Sequence, residues 1–335
     1  MKINKERIKE VFEEFSSITV LIIGDVMLDD YIIGNVTRIS PEAPVPVVNI
    51  ETRYACLGGA ANVALNVKAL GATPILCSVI GNDRKSNDFL EILKQKEMDD
   101  IGIIRSNDRI LTTKYRAIGN NTQLLRLDDE VTYPLSQTDE HDFLLQLTHI
   151  IHSQKIDAII FEDYDKGVIT NNIIDNIVSL ACKKSIPVLV DPKKRNFWEY
   201  KNIDLFKPNW KEIREGLQLK NCSWQDEYIL ERITQFMIEK QHKHLLLTLS
   251  GEGVVLYQYK QDKLLYTHVP ACLRKVADVS GAGDTVISVA ALCMTKKMDI
   301  EDIAELSNLA GGLVCEEVGV VAINKEKLLQ EAINR

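Results

Sequence analysis

The stretch Asp278-Val-Ser-Gly-Ala-Gly-Asp284, followed at once by the apolar run Thr285–Met294, combines residue types suited to phosphoryl transfer. Two glycines around an alanine let successive backbone N–H groups point to one side without obstruction by Cβ. A helix starting there adds unpaired N–H donors and the positive end of its dipole, so the turn makes an anion hole. Asp284 then stands where the helix field favours its ionised form, facing whatever anion the hole holds. The chemistry that needs both parts is phosphoryl transfer. The carboxylate takes a proton from an attacking hydroxyl, and the amides of Gly281, Ala282 and Gly283 stabilise charge on the moving group. Taken alone, a glycine turn with an acidic helix cap fits the same residues equally well.

Composition narrows the choice. The 335 residues carry 48 acidic and 40 basic side chains, a net charge of -8. An acidic surface argues against nucleic acid as a partner, because that binding rests on neutralising phosphates. Seven scattered cysteines (56, 77, 182, 222, 272, 293 and 315) form no C-x-x-C pair and suit reduced thiols in a cytoplasmic protein. His242 and His244 have no cysteine or carboxylate at ligand spacing, so zinc is not expected. The N-terminus runs into a charged amphipathic helix without the apolar segment of a signal peptide. No apolar run approaches bilayer length, and no membrane partner is expected.

Short Val/Ile/Leu runs alternate with helical segments. Strands are expected at Val20–Ile23, Pro74–Ile80, Ala158–Phe161, Pro187–Val190, Asp204–Phe206 and His244–Leu249. Helices are expected at Ala60–Leu70, Ser86–Glu97, Thr138–Ser153, Asn171–Lys184 and Gln225–Lys240. This pattern predicts an α/β fold, doubly wound, with a mostly parallel central sheet and helices on both faces. Ligands in such sheets collect at the carboxyl ends of the strands. Two segments, about 31–51 and 111–128, fall outside the pattern and predict a small β lid, the second a hairpin turning at Asn120-Asn121. The whole chain, 1–335, is expected to be one domain with this lid. Its alternating apolar residues predict a homodimer formed through the lid.

The residues just beyond the strand ends carry a resemblance. Asp278–Asp284 is similar to the D-[TS]-x-G-A-G-D signature of ribokinase-like carbohydrate kinases of the phosphofructokinase-B type. Gly58-Gly-Ala-Ala-Asn62 with Leu70-Gly71-Ala72 resembles that family's other signature. Further segments look like the kinase part of the bifunctional heptose-phosphate kinase/adenylyltransferases of lipopolysaccharide core synthesis. These are Gly24-Asp-Val-Met-Leu-Asp29, Arg38–Val48, Gln123–Asp128, Asp163-Tyr-x-Lys-Gly167, Asp191-Pro-Lys193, Pro208-Asn209-x-x-Glu212 and Thr248-x-Ser250-x-x-Gly253. Three positions depart from that subgroup: Glu162 stands where serine is usual, Ser280 replaces threonine, and Gly311-Gly312 replaces an Ala/Gly pair. The nucleotidyltransferase half is not expected here, because the chain ends at Arg335 soon after the kinase part would.

The resemblance implies an ATP- and Mg²⁺-dependent kinase of a sugar phosphate, with heptose 7-phosphate phosphorylated at its anomeric hydroxyl. A monovalent cation beside the anion hole is a further candidate. Asp284 is then the general base, and Gly281, Ala282 and Gly283 the anion hole. Asp29 would accept hydrogen bonds from sugar hydroxyls, ahead of Asp25, while Gly58, Gly59 and Asn62 hold the sugar. Lys193, first of the run Lys193-Lys194-Arg195, would face the substrate's own phosphate. Arg116 and Arg126 would clamp from the lid, with Asp163 and Lys166 on the same rim. Asn209 and Glu212 would order Mg²⁺ through water. Thr248, Ser250 and Gly253 would line the ATP phosphates and ribose, and Asn308 the adenine. Competing readings are a kinase of another sugar and a catalytically silent sugar- or nucleotide-binding regulator. A P-loop or a dinucleotide fingerprint is missing, which disfavours those classes.

Overall fold

In the computed structural model, which describes residues 4–220, 222–261, 263–272 and 274–335, the Val/Ile/Leu runs lie side by side as strands. The chain opens with α1 (Lys5–Glu14), β1 (Thr19–Gly24), β2 (Val26–Ile39), β3 (Pro46–Gly59) and α2 (Ala60–Ala69). It continues through β4 (Thr73–Gly81), α3 (Arg84–Gln95), β5 (Gly102–Ser106), β6 (Thr112–Gly119) and β7 (Thr122–Asp129). Next come α4 (Gln137–Ser153), β8 (Ala158–Glu162), α5 (Asn171–Lys184), β9 (Val188–Asp191), β10 (Leu205–Phe206), α6 (Trp210–Gly216) and α7 (Glu227–Lys240). The last part holds β11 (His244–Thr248), β12 (Val254–Lys260), β13 (Lys263–Val269), α8 (Ala282–Thr295), α9 (Ile300–Val314) and α10 (Lys325–Ile333). Met1–Ile3, which precede α1, lie outside the described residues.

Nine strands form one sheet in the order β13-β12-β11-β10-β9-β8-β1-β4-β5. The pairs from β11 to β5 are parallel, whereas β12 and β13 run antiparallel at one edge. Strand β1 explains why its sequence is apolar without a break. Val20 and Ile22 belong to the core on the face of α1, α2, α8 and α9, while Leu21 and Ile23 belong to the core on the other face, with α4, α5 and α7. A strand buried on both faces loses the alternation that would mark a surface strand.

Four strands, in the order β3-β2-β6-β7, make the second sheet. The hairpin turns at Asn120 and Asn121, both with positive φ (51° and 62°), which asparagine tolerates better than most residues. The lid strands are longer than expected. Strand β2 begins at Val26, two residues after β1 ends, and β3 runs on to Gly59 at the start of α2. The lid is therefore tied directly to the strand ends of the main sheet. Strands β5, β12 and β13 and helix α6 had no clear signal, being short or edge elements with polar residues interleaved.

Behind the sheet, His242 is buried and stacks on Phe206 with ring centroids 4.7 Å apart. Neither ring nitrogen has a hydrogen-bond partner, and burial pushes its pKa down to about 3. The folded state holds a neutral imidazole, whereas the unfolded chain protonates near pH 6.5. Stability from this group is therefore complete above that value and is lost as pH falls. Denaturation of the wild-type chain and of His242→Phe at pH 7 and pH 5 should show the wild type losing about 2 kcal/mol more than the variant.

Candidate active site

The parallel register brings one row of residues to the carboxyl edge of the sheet. Gly24 of β1 aligns with Glu162 of β8, and Glu162 aligns with Asp191 of β9. Lys207 follows β10 directly, and its Nζ lies 2.7 Å from Asp191 Oδ2. Glu162, Asp191 and Lys207 are all buried. One residue beyond β1, Asp25 accepts backbone N–H bonds from Tyr164 at 2.8 Å and from Lys166 and Val168 at 3.1 Å. Its carboxylate thus ties down the loop after β8.

Helix α8 begins over this row. Asp278 accepts from the Ser280 amide at 2.9 Å and from the Gly319 amide at 3.0 Å, which fixes the turn before the helix. Gly281 is the N-cap, with φ 79°. A Cβ there would lie 2.7 Å from Asn62 Nδ2, so both backbone and space demand glycine. In the first turn, Asp284 Oδ2 accepts from Asn62 Nδ2 at 2.7 Å, and Oδ1 accepts from the Tyr164 hydroxyl at 3.0 Å. Asn66, one turn after Asn62, accepts from the Thr285 hydroxyl at 3.0 Å and so locks α2 to α8. Gly283 faces Lys207 and Asp191, whose Nζ and Oδ2 lie 3.4 and 3.6 Å from where its Cβ would be.

The helix field does not by itself govern Asp284. Burial raises its pKa, the Asn62 hydrogen bond lowers it, and the charge of Asp191 raises it again, with a net upward shift. Glu162 is pushed further up, first by burial and then by the charges of Asp191 and Asp284. Lys207 is held above its ordinary range: burial opposes its charge, but Asp191 and Glu162 outweigh burial.

The lid contributes one polar face. Asp29, Lys114 and Asp128 align across it, as do Tyr31, Arg116 and Arg126 two residues on. Asp29 and Arg116 form a buried ion pair. Gly58 leaves room for Asp29, since a Cβ there would lie 2.7 Å from Asp29 Oδ2. Arg116 therefore engages the candidate sugar ligand Asp29 rather than standing free as a clamp. Arg126 is exposed and pairs with Asp128 at 2.9 Å. Tyr164 links lid and base: Lys114 Nζ and Lys193 Nζ lie 5.6 and 4.9 Å from its ring centroid.

Three sets of expected site residues already have protein partners. Asp163 does not stand on the rim; it is buried and accepts from Asn196 at 2.8 Å and Tyr200 at 3.2 Å. Burial, then the charge of Asp25, raises its pKa to about 7. Lys193 is not a free cation, because it donates to Glu212 Oε1 at 2.5 Å. Of the run it begins, Lys194 and Arg195 are exposed. Glu212 and Asn209 form a reciprocal capping box at the start of α6, at 2.8 and 2.9 Å, so their oxygens already have partners.

On the far side of the row, Thr248 ends β11 and bridges to Asn209. Ser250 opens a short 3-10 turn that Gly253 closes. Asn308 Nδ2 donates to the carbonyls of Pro270 at 3.0 Å and Val269 at 3.4 Å, just past β13. Thr248, Gly253 and Asn308 thus gather at the β11–β13 end of the sheet, and Asp284 lies over β8–β10. Asn62, Asp284, Gly281 and Gly283 come together as one unit. Sequence reasoning missed Tyr164, Lys207, Asn66 and Lys114. Tyr164 and Lys207 lie in or beside quoted motifs, but their types alone do not single them out.

Removing the Tyr164 hydroxyl deletes a hydrogen bond to the charged form of Asp284. Tyr164→Phe should move the Asp284 carboxyl titration to higher pH. The carboxyl ¹³C resonance, assigned by difference from Asp284→Asn, reports the shift; an unchanged midpoint would separate the two groups.

Comparison with known proteins follows the same outline. The chain is 39% identical over 311 residues to "Bifunctional protein HldE" of Coxiella burnetii (strain Dugway 5J108-111), covering 92% of this chain and 62% of that protein. It is 36% identical over 321 residues to the protein of the same name from Granulibacter bethesdensis, covering 95% and 65%. It therefore spans somewhat under two thirds of these relatives. Among solved structures, Escherichia coli phosphofructokinase-2 in complex with substrates and products superposes with a TM-score of 0.75 at 15% identity, covering 95% of this chain and 100% of that one. Arabidopsis thaliana ribokinase complexed with ribose and ATP gives 0.66 at 17%, covering 95% and 99%. At these identities they establish the fold alone. Residues 17–327 match the description "pfkB family carbohydrate kinase", and the chain belongs to that family.

Proposed function

We propose that the chain transfers the γ-phosphoryl group of ATP to the anomeric hydroxyl of D-glycero-D-manno-heptose 7-phosphate. The observation that carries this reading is the Asp284 carboxylate, buried between Asn62 and Tyr164 on the first turn of α8 beside Gly281 and Gly283. In the reaction, the sugar oxygen forms a bond to the γ-phosphorus as the bond to the ADP oxygen breaks. Asp284 takes the hydroxyl proton. The amides of Gly281–Gly283 and the ammonium of Lys207 offset the charge that spreads over the phosphoryl oxygens.

Asp29 holds sugar hydroxyls in this reading, oriented by Arg116. The choice of a phosphorylated sugar is supported by Lys114 and Lys193 flanking Tyr164, and by Arg116 and Arg126 directly opposite each other on the polar face of the lid. Each arginine already pairs with a carboxylate of the same sheet, Arg116 with Asp29 and Arg126 with Asp128, so a substrate phosphate would share these ion pairs. The heptose itself is supported by the identity to the HldE relatives and by the Arg38–Val48 segment. The nucleotide lies along Thr248, Ser250 and Gly253 towards Asn308. Glu212 and Asn209, engaged in their capping box, suit contact with Mg²⁺ through water rather than direct ligation. Bound there, Mg²⁺ would shield the nucleotide phosphates.

The lid also supports a homodimer. Register places Leu125 and Leu127 on the face opposite Arg116, and they are 53% and 56% exposed. Two adjacent exposed leucines on a sheet bury well against a second copy. Among the described residues, no helix is long and apolar enough to cross a membrane.

ADP release measured across heptose phosphates, hexose phosphates and free sugars should be fastest with heptose 7-phosphate; release with none of them would leave a silent binder. Asp284→Asn should lower kcat by about 10²–10⁴-fold with an unchanged circular dichroism spectrum. Light scattering should give a dimer for the wild type and a monomer for a Leu125→Lys, Leu127→Lys double variant.

A further inference from the structure

Three carboxyl groups meet beneath the start of α8 more closely than their charges allow without help. Glu162, Asp191 and Asp284 each offer one oxygen, and these three oxygens lie within 4.8 Å of one another. Glu162 and Asp191 are register partners on adjacent parallel strands, so the backbone itself holds them side by side. Like charges in that relation repel, and burial strengthens the repulsion.

The nearby groups offset this unevenly. Asp191 pairs with Lys207 at 2.7 Å, and Asp284 accepts from Asn62 and Tyr164. Lys193, the next cation, donates to Glu212. Among the described residues, Glu162 is left with both oxygens buried and without a hydrogen-bond partner. A buried carboxyl of this kind calls for a missing ligand, and an all-oxygen set of three carboxylates suits a hard divalent cation. The spacing agrees. With oxygens at about 2.1–2.4 Å from a cation, opposite ligands stand roughly 4.2–4.8 Å apart and adjacent ones closer. An upper limit of 4.8 Å between the three oxygens is compatible with that spacing.

We infer that Glu162 and Asp191 ligate a divalent cation directly, with Asp284 closing the third side, at a site separate from Asn209 and Glu212. The side chain that makes the site is Glu162. Where related kinases are expected to carry serine, this chain supplies a carboxylate. Placed between the row and the Gly281–Gly283 turn, the cation neutralises the carboxylates that would repel an incoming phosphate. This deepens the kinase reading and rests on it for its catalytic use, whereas the binding itself needs neither nucleotide nor sugar.

The test is a titration of the nucleotide-free chain with Mn²⁺, following the loss of the free-ion signal by electron paramagnetic resonance. The wild type should bind one ion per chain. Glu162→Gln and Glu162→Ser should each weaken binding at least about tenfold, while Glu212→Gln retains it. Thermal melts identify any variant that fails to fold, and the smaller serine serves if glutamine is not accommodated. Absence of Mn²⁺ binding to the wild type at millimolar concentration overturns the site. So does wild-type affinity in the Glu162 variants, or loss confined to Glu212→Gln. Sugar-dependent ADP release is measured separately. Its absence would remove the proposed substrate and leave the titration standing, and release without Mn²⁺ binding would remove only this site.

Discussion

Electrostatic balance at the carboxyl edge of the sheet constrains everything around it. Glu162, Asp191 and Asp284 are buried together, and Lys207 is the cation in direct contact with them at 2.7 Å from Asp191. In a low-dielectric interior, an unbalanced carboxylate takes up a proton or recruits a positive partner. The upward shifts at Glu162 and Asp284 show the first response, and the raised pKa of Lys207 shows the second. Backbone amides at the α8 N-terminus add a fixed positive field that needs no counter-ion of its own. A field of that kind favours negative charge at the helix start, Asp284's carboxylate included.

The geometry of Asp284 depends on elements far apart in the chain. Asn62 comes from α2, Tyr164 from the loop after β8, and the aspartate from α8. Each is held by a second contact: Asn66 joins α2 to α8, and Asp25 fixes the Tyr164 loop through three backbone bonds. Asp284 is thus oriented by parts of the main body, while Asp29 and Arg116 belong to the second sheet. Because β2 leaves β1 after a single residue and β3 runs into α2, the second sheet sits directly beside Asp284, with Tyr164 bridging the two parts.

The parts legible in the sequence are those dictated by local chemistry. Strands β1, β4, β8 and β11 were visible because burial on both faces demands unbroken Val/Ile/Leu runs. The Gly281–Asp284 turn was visible because glycine, alanine and glycine before a helix serve few purposes. Edge strands β12 and β13 were missed because polar residues such as Gln258 and Thr267 interrupt the unbroken apolar runs that marked the central strands. Asp163 was misplaced for a related reason. Its type suggests a rim ligand, but the inward turn that presents it to Asn196 and Tyr200 is a tertiary fact. Lys193 and Glu212 were each assigned a ligand before their mutual pairing could be seen. Tyr164 escaped notice because its role comes from three contacts made by distant residues.

Glu162 shows how a single side chain can alter the charge balance of a site without altering the fold. Its backbone makes the same parallel pairs with Gly24 and Asp191 whatever the side chain. A serine there would add a neutral hydroxyl to the row; glutamate adds a carboxyl whose ionised form Lys207 and Lys193 offset only in part. The fold tolerates it because Gly24, the register partner on the other side, has no side chain to compete for space. The cost of the buried carboxylate falls on local electrostatics, next to Asp284. A change at this position therefore acts on the charge balance around Asp284 while the packing of the two apolar cores stays as it is.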